Sequence, residues 1–267
     1  MKSQLVSVII PTYNNEKTIE QCITTLKNQT YPKIEIIIVD NKSSDKTQEI
    51  CKKHKVKLIS KKSSRTQARN IGIKKAKGKF IFNIDSDMYF PRTLISECIK
   101  KIKNYDALCI DEKSIGKCYW SKVRSFERSL YSGNKNIDAA RFLKKKVIKK
   151  IKGYDEELNF GEDWDLQSRI NKNKFKTGRL ENPKILHDEG RVSLKSAYKT
   201  KKFYGKSMKK FFEKNPERKS QTYSAKNLIV NIFLKNWKKI LKHPVLLISV
   251  LILKGTEYLG AWRGIKQ

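Results

Sequence analysis

Along the first hundred residues, short apolar runs alternate with segments whose apolar residues recur every three or four positions. Val6–Ile10 is a β-branched run closed by Pro11, and Ile34–Val39 is a second that ends at Asp40. Such runs suit strands buried on both faces of a parallel sheet. Between them, Ile19, Cys22, Ile23 and Leu26 share one face of a helix over 16–27, with Asn14 or Asn15 as its cap. Strand, helix and strand make a β-α-β unit.

The pattern repeats. It predicts a helix over 45–53 with Asp45 and Gln48 as a capping box, a strand over 56–60, a helix over 66–76 and a strand over 80–84. Four strands and three helices define a doubly wound half. A helix from Pro91 to about Lys103 and a strand over 107–110 continue it, and the stretch to Asp138 reads as variable loops. A mixed segment over 142–151 and a helix from near Gly161 to near Lys172 follow. The expected fold is α/β, with a mostly parallel sheet flanked by helices. The first strand-to-helix loop, Pro11-Thr12-Tyr13-Asn14-Asn15, lacks G-x-G-x-x-G, which argues against an NAD-type Rossmann site.

Composition changes the picture by its charge. Sixty Lys plus Arg stand against 26 Asp plus Glu, a formal net charge of +34. That excess points to a polyanionic partner: nucleic acid, an anionic membrane face or a phosphorylated substrate. A general lysine bias on solvated faces accounts for part of it. The five cysteines form an odd set without C-x-x-C, which argues against a disulfide framework and a zinc knuckle and for a reducing cytosol. The first five residues lack the apolar core and cleavage site of a signal peptide, so a cytoplasmic protein is expected.

From Ser193 onward a lysine-rich helix carries Leu194, Ala197, Tyr198, Tyr204, Met208, Phe211 and Phe212 as an approximate stripe, the pattern of a membrane-surface helix. Val245–Leu253 is apolar except for Ser249, but Lys254 and Glu257 interrupt it short of the roughly 20 residues a span needs. Lying in the membrane interface is therefore expected. Trp237, Tyr258 and Trp262, beside Lys235, Lys238, Lys239 and Arg263, match aromatic and basic anchors at headgroup depth. The alternative is packing on the domain or on a second copy as a homodimer.

The chemistry-bearing residues gather at strand ends, where ligands of open α/β sheets bind. Asp85-Ser86-Asp87 follows the run Phe80–Ile84 directly. Two carboxylates one residue apart repel unless a cation relieves them, and a divalent ion there would bridge them to phosphate oxygens. Taken alone, D-x-D is also a common acidic turn. Asp40, at the end of the second strand, could accept hydrogen bonds from a ribose or a pyrimidine edge, or simply open a turn. Asp165 and Arg169 form an i,i+4 pair of structural type.

Val6-Ser7-Val8-Ile9-Ile10-Pro11-Thr12-Tyr13-Asn14, Ile38-Val39-Asp40-Asn41, Ala68-Arg69-Asn70-Ile71-Gly72 and Asp85-Ser86-Asp87 resemble the signature blocks of family-two glycosyltransferases. The resemblance spans residues 6 to about 190 and implies a GT-A fold that transfers a sugar, with inversion, from a nucleotide-diphosphate donor. It makes Pro11, Thr12 and Asp40 nucleoside contacts with Tyr13 beside them, and Arg69 a positioning residue near the donor. Asp85 and Ser86 would lie on the donor, and Asp87 on a divalent metal, Mn or Mg. Glu162-Asp163 resembles the family's E-D pair, with Asp163 as the base and Glu162 second; N-terminal helix acids are also favoured by the macrodipole. Gly153-Tyr154-Asp155-Glu156 resembles its G-aromatic-D-E turn, where the aromatic stacks on a sugar or packs inward. His187, after another apolar run, would complete the metal sphere.

These readings divide the chain into a GT-A catalytic domain over 1–192 and a basic tail over 193–267. Within the former, 1–105 is the nucleotide-sugar half and 106–192 the acceptor and base half. The implied acceptor is a lipid-linked glycan or polyprenyl phosphate at the cytosolic membrane face, in cell-surface glycan or glycoprotein assembly, and no nucleic acid is expected as a partner. A nucleotidyl transferase is the competing enzyme class, but its glycine-rich basic loop is missing. A non-enzymatic nucleic-acid-binding protein fits the charge, yet no recognition motif accompanies it.

Overall fold

The computed structural model describes residues 3–131, 138–216 and 235–267. Its sheet has eight strands: β1 Val6–Thr12, β2 Ile34–Asp40, β3 Lys57–Ser60, β4 Phe80–Asn83, β5 Met88–Tyr89, β6 Ala107–Ile115, β7 Phe142–Lys144 and β8 Thr177–Asp188. Their spatial order is β3-β2-β1-β4-β7-β6-β8-β5. The strands β1 to β4 run parallel, whereas β7 pairs antiparallel with β4 and β6, and β5 with β8. The sheet is therefore mixed, as in a GT-A fold.

The apolar runs become strands because both of their faces are covered. Val6, Val8 and Ile10 pack with the helices α1 (Ile19–Lys27) and α4 (Leu94–Lys101). Ile9 packs instead with α3 (Arg65–Lys75), α6 (Lys145–Lys150) and α7 (Glu162–Lys172). Side chains of period two thus enter two cores, and each buried Val or Ile contributes about 1.5–3 kcal/mol. At the carboxyl end Thr12 pairs with Asp40, while Ile9 pairs with Asn83 one strand over. The register therefore gathers the strand-end motifs along one edge.

Helix α3 starts on a capping box, in which Ser64 accepts from the Gln67 amide and Gln67 returns the bond. The box expected at Asp45 and Gln48 does not form. Helix α2 runs Thr47–Lys53, Asp45 accepts from the Thr47 and Glu16 amides at 3.0 Å, and the Gln48 amide donates to Asp40 at 2.8 Å. The buried Asp40 carboxylate is the stronger competitor for Gln48, because a buried charge left unbonded is costly.

The loops expected between 111 and 138 are largely regular structure among the described residues. Strand β6 extends to Ile115, and α5 occupies Tyr119–Tyr131 with Val123, Phe126 and Leu130 on its buried face. Residues 132–137, at the end of that stretch, lie outside the described residues, as do Met1 and Lys2 of the N-terminal reading.

Contacts divide the chain into two compact units. The first holds residues 1–112, 139–157 and 162–188; the second holds 113–138, 158–161 and 189–267. In the second unit, α5 joins α8 (Leu194–Lys214), α9 (Lys235–Leu241) and α10 (Pro244–Ile265) through Val123, Phe126, Leu130, Ala197, Ile240, Val250 and Leu253. Lys254 and Glu257 do not interrupt α10. They turn inward to a buried cluster in which Arg124 meets Glu257 at 2.6 Å and Lys254 meets Glu127 at 2.5 Å. Helix α10 is thus 22 residues long and, by length and composition alone, apolar enough to cross a membrane. The interruption read from the sequence lies on its packed side.

Candidate active site

All the candidate site residues belong to the first unit. Arg69, on the second turn of α3, is fully buried, with 0% of its side chain exposed. Its Nη2 donates to Asp85 Oδ1 at 2.7 Å, and its Nη1 to Asp163 Oδ1 at 2.7 Å and to Glu162 Oε1 at 3.4 Å. The planar fork, itself 94 positions from Asp163 in the chain, thereby ties the loop after β4 to the start of α7.

Tyr154 lies against this guanidinium, 5.0 Å from ring centroid to Cζ, and is buried. Of the two readings of this aromatic, the structure supports inward packing. Asn70, beside Arg69 in the sequence, accepts from the Tyr154 amide at 2.8 Å and donates to its carbonyl at 2.9 Å. Gly153 must be glycine for this clamp: its φ is +73°, and a Cβ would stand 2.5 Å from Asn70 Oδ1.

The two acids that open α7 differ. Glu162 is buried and held by Arg65 at 2.5 Å as well as by Arg69. Burial and the Asp163 charge push its carboxyl up, against the pull of Arg65 and Arg69. Asp163 keeps 31% of its side chain exposed. Burial alone would also raise Asp85, but Arg69, Arg141 and Arg65 hold it far below the usual carboxylate range. Asp85 is therefore a fixed anion.

Asp87 and His187 are brought together by the β5–β8 pairing, which sets Met88 opposite His187 and bonds the Asp188 amide to the Asp87 carbonyl at 2.9 Å. The His187 Nε2 stands 3.4 Å from Asp87 Oδ1, and its Nδ1 3.1 Å from Glu112 Oε2. Burial lowers the imidazole pKa, yet the hydrogen bonds to Asp87 and Glu112 prevail and raise it to about 10. Asp87 Oδ1 is buried, with the His187 Nε2 as its ion-pair partner. Among the described residues no cluster of three or more His, Cys, Asp or Glu forms a ready cation cage. Asp87 and His187 would hold a hard divalent ion once the imidazole has given up its Nε2 proton, so the pair fits such an ion.

Around the first loop, Pro11 and Thr12 are buried, and Thr12 Oγ1 has no hydrogen-bond partner. Tyr13 is 56% exposed. The Ser86 hydroxyl meets the Asn15 side chain. Asp40 is wholly buried, and its oxygens accept from Ser43 and Gln48. What Asp40 supplies directly is the shape of the loop over 40–48.

Three residues that the motifs did not single out complete the network: Arg65, Glu112 and Arg141. Arg141 donates from Nε to Glu112 Oε1 at 2.5 Å and sets Nη1 3.6 Å from Asp85. Asp111-Glu112 follows the apolar run 107–110 within β6, much as Asp85 follows the run 80–84, and that is the signal the sequence carries for Glu112. Arg141 carried none.

Residues 7–159, more than half of the chain, match the model of Glycosyl transferase family 2. The chain belongs to glycosyl transferase family 2. It is 36% identical over 112 residues to Glycosyltransferase GlyG of Streptococcus pneumoniae, covering 39% of this chain and 37% of that protein. It is 42% identical over 101 residues to the UDP-Glc:alpha-D-GlcNAc-diphosphoundecaprenol beta-1,3-glucosyltransferase WfaP of Escherichia coli, covering 36% and 40%. The matches thus span two fifths or less of these relatives. The mannosyltransferase PcManGT of Pyrobaculum calidifontis, solved with GDP-Man and Mn2+, superposes with a TM-score of 0.66 at 15% identity, over 97% of this chain and 85% of that one. That likeness establishes the shared fold.

Proposed function

We propose that this chain is an inverting glycosyltransferase that moves a sugar from a nucleotide-diphosphate donor to an acceptor hydroxyl or phosphate. The observation that carries the proposal is the Arg69 fork, which holds the donor-side Asp85 and the acceptor-side Asp163 in one ion network. Asp163, a third exposed, takes the proton of the acceptor hydroxyl as its oxygen bonds to the anomeric carbon, and the nucleoside diphosphate departs from the opposite face. Glu162, buried between two arginines, fixes the start of α7. Asp85 and Ser86 border the donor; Thr12 and Tyr13 border the base, with Pro11 and Asp40 shaping the walls.

Asp87 and His187 would hold a divalent cation, Mn or Mg, which offsets the charge that develops on the leaving diphosphate. The juxtaposition of Asp87 and His187 supports this reading, as does the Mn2+ in PcManGT.

The proposed acceptor class is a lipid-linked glycan or polyprenyl phosphate, met at an anionic membrane surface. Helix α10 supports it by exposing Val245, Ile248, Leu251, Ile252, Leu259 and Trp262. Exposed Lys239 on α9, Lys242 in the turn after it and Arg263 on α10 lie close by in sequence. Apolar insertion beside basic residues is the chemistry of an interfacial helix. WfaP, whose named acceptor is a diphosphoundecaprenol sugar, supports the same class.

A panel of UDP- and GDP-sugars, incubated with the protein and Mn2+, tests the activity through the nucleoside diphosphate released. At least one donor is expected to turn over slowly with water as acceptor, and EDTA is expected to stop it. Failure of every donor, with and without polyprenyl phosphate, would contradict the reading.

A further inference from the structure

The charged groups of the candidate site form one continuous chain from Asp163 to Asp87, and Glu112 is one of its links. Strand β6 lies between β7 and β8. Arg141 immediately precedes β7, where its backbone amide bonds the Leu108 carbonyl of β6 at 3.0 Å. His187 sits near the end of β8. From β6, Glu112 therefore reaches both sides: Oε1 accepts from Arg141 Nε at 2.5 Å, and Oε2 faces His187 Nδ1 at 3.1 Å. Beyond Arg141 the chain continues through Asp85 to Arg69 and Asp163. Beyond His187 it ends at Asp87.

We infer that Glu112 is a positioning residue, which orients His187 toward the cation and Arg141 toward Asp85, and so sets the cation-binding pair in register with the donor-side carboxylate. A single carboxylate can do this because its two oxygens accept independently, and both donors are largely buried. With Nδ1 bonded to Glu112, the imidazole presents Nε2 to Asp87 and to any shared ion. Arg141, held at Nε, has its Nη1 turned to the second oxygen of Asp85, while Arg69 occupies the first. Truncation of Glu112 frees the ring and the guanidinium together, so one substitution loosens both sites.

The inference rests on the cation reading above, and the experiment separates the two. Mn2+ is titrated calorimetrically into wild type, Glu112→Gln and Glu112→Ala, alone and with UDP or GDP present, without turnover. Glu112→Ala is expected to bind Mn2+ about 10–100-fold more weakly, the usual loss when a partner of a metal ligand is removed. Glu112→Gln, which still accepts at one oxygen, should fall between the two and serves if the alanine variant does not fold. In donor turnover kcat should fall more than KM rises. Thermal melts accompany each titration: a role in stability alone would lower the melting temperature and leave Mn2+ affinity unchanged, and that result would overturn the inference. Absence of Mn2+ binding by wild type in every arm would overturn the cation reading and this inference with it.

Discussion

The guanidinium of Arg69 binds Asp163 at 2.7 Å, although the two residues come from helices 94 positions apart and Arg69 has no exposed side-chain surface. The same fork grips Asp85, so the separation of donor-side and acceptor-side carboxylates is set by one rigid group. A lysine carries a single point of charge and cannot replace that fork. Arg69→Lys should lower turnover on the order of 100-fold, as displacements near 1 Å do. Arg69→Ala leaves three carboxylates facing one another and should cost about 3–5 kcal/mol in a denaturant titration.

In the second unit, α8 and α10 approach through glycines. A Cβ at Gly260 would stand 2.5 Å from the Tyr198 carbonyl oxygen, and Gly264 is similarly pressed against Lys202. Backbone cannot yield as a side-chain tip does, so Gly260→Val should destabilise this unit by about 1–3 kcal/mol. Urea unfolding followed by tryptophan fluorescence measures it.

Glu257 supplies an acid-sensitive element in the same unit. Burial would raise its carboxyl, but Lys254, Lys201 and Arg124 prevail and depress it from the ordinary 4.5 to about 2. A depressed carboxyl stabilises the fold above its unfolded pKa, and that stability is lost as the pH falls toward the folded value. About 3 kcal/mol should therefore be present at neutral pH and disappear between pH 4.5 and 2. Glu257→Gln should flatten the pH dependence of the melting temperature in that window.

The exposed face of α10 yields a membrane prediction. Wild type should cosediment with phosphatidylglycerol vesicles at low salt and less so at high salt, since basic residues contribute about 1 kcal/mol each near an anionic surface. Leu251→Asp, on a residue 54% exposed, should weaken binding severalfold without lowering the melting temperature. Equal sedimentation of the two proteins would show that this face does not insert.

What could be read from the residues alone follows a physical divide. Strand runs, helix faces and strand-end acids are local, so β1 to β4, α1 and α3, and Asp85 through Asp87 were legible. The partners of those acids were not. Arg141 meets Glu112 and Asp85 because β7 inserts antiparallel between β4 and β6, a crossover that no local spacing encodes. The sequence of α5 resembles loop although Val123, Phe126 and Leu130 carry helical spacing, because charged and small residues between them dilute the pattern. In α10, Lys254 and Glu257 looked like interruptions because their partners, Arg124 and Glu127, lie more than a hundred residues away.

The proposed division of roles is tested most directly by the rate of nucleoside diphosphate release from an accepted donor, in saturating Mn2+, by wild type and Asp163→Asn. The substitution keeps an oxygen for Arg69 but removes the proton acceptor. The account predicts a loss of about 100-fold or more in kcat, with the donor KM and the melting temperature little changed. Turnover by Asp163→Asn at the wild-type rate would contradict it.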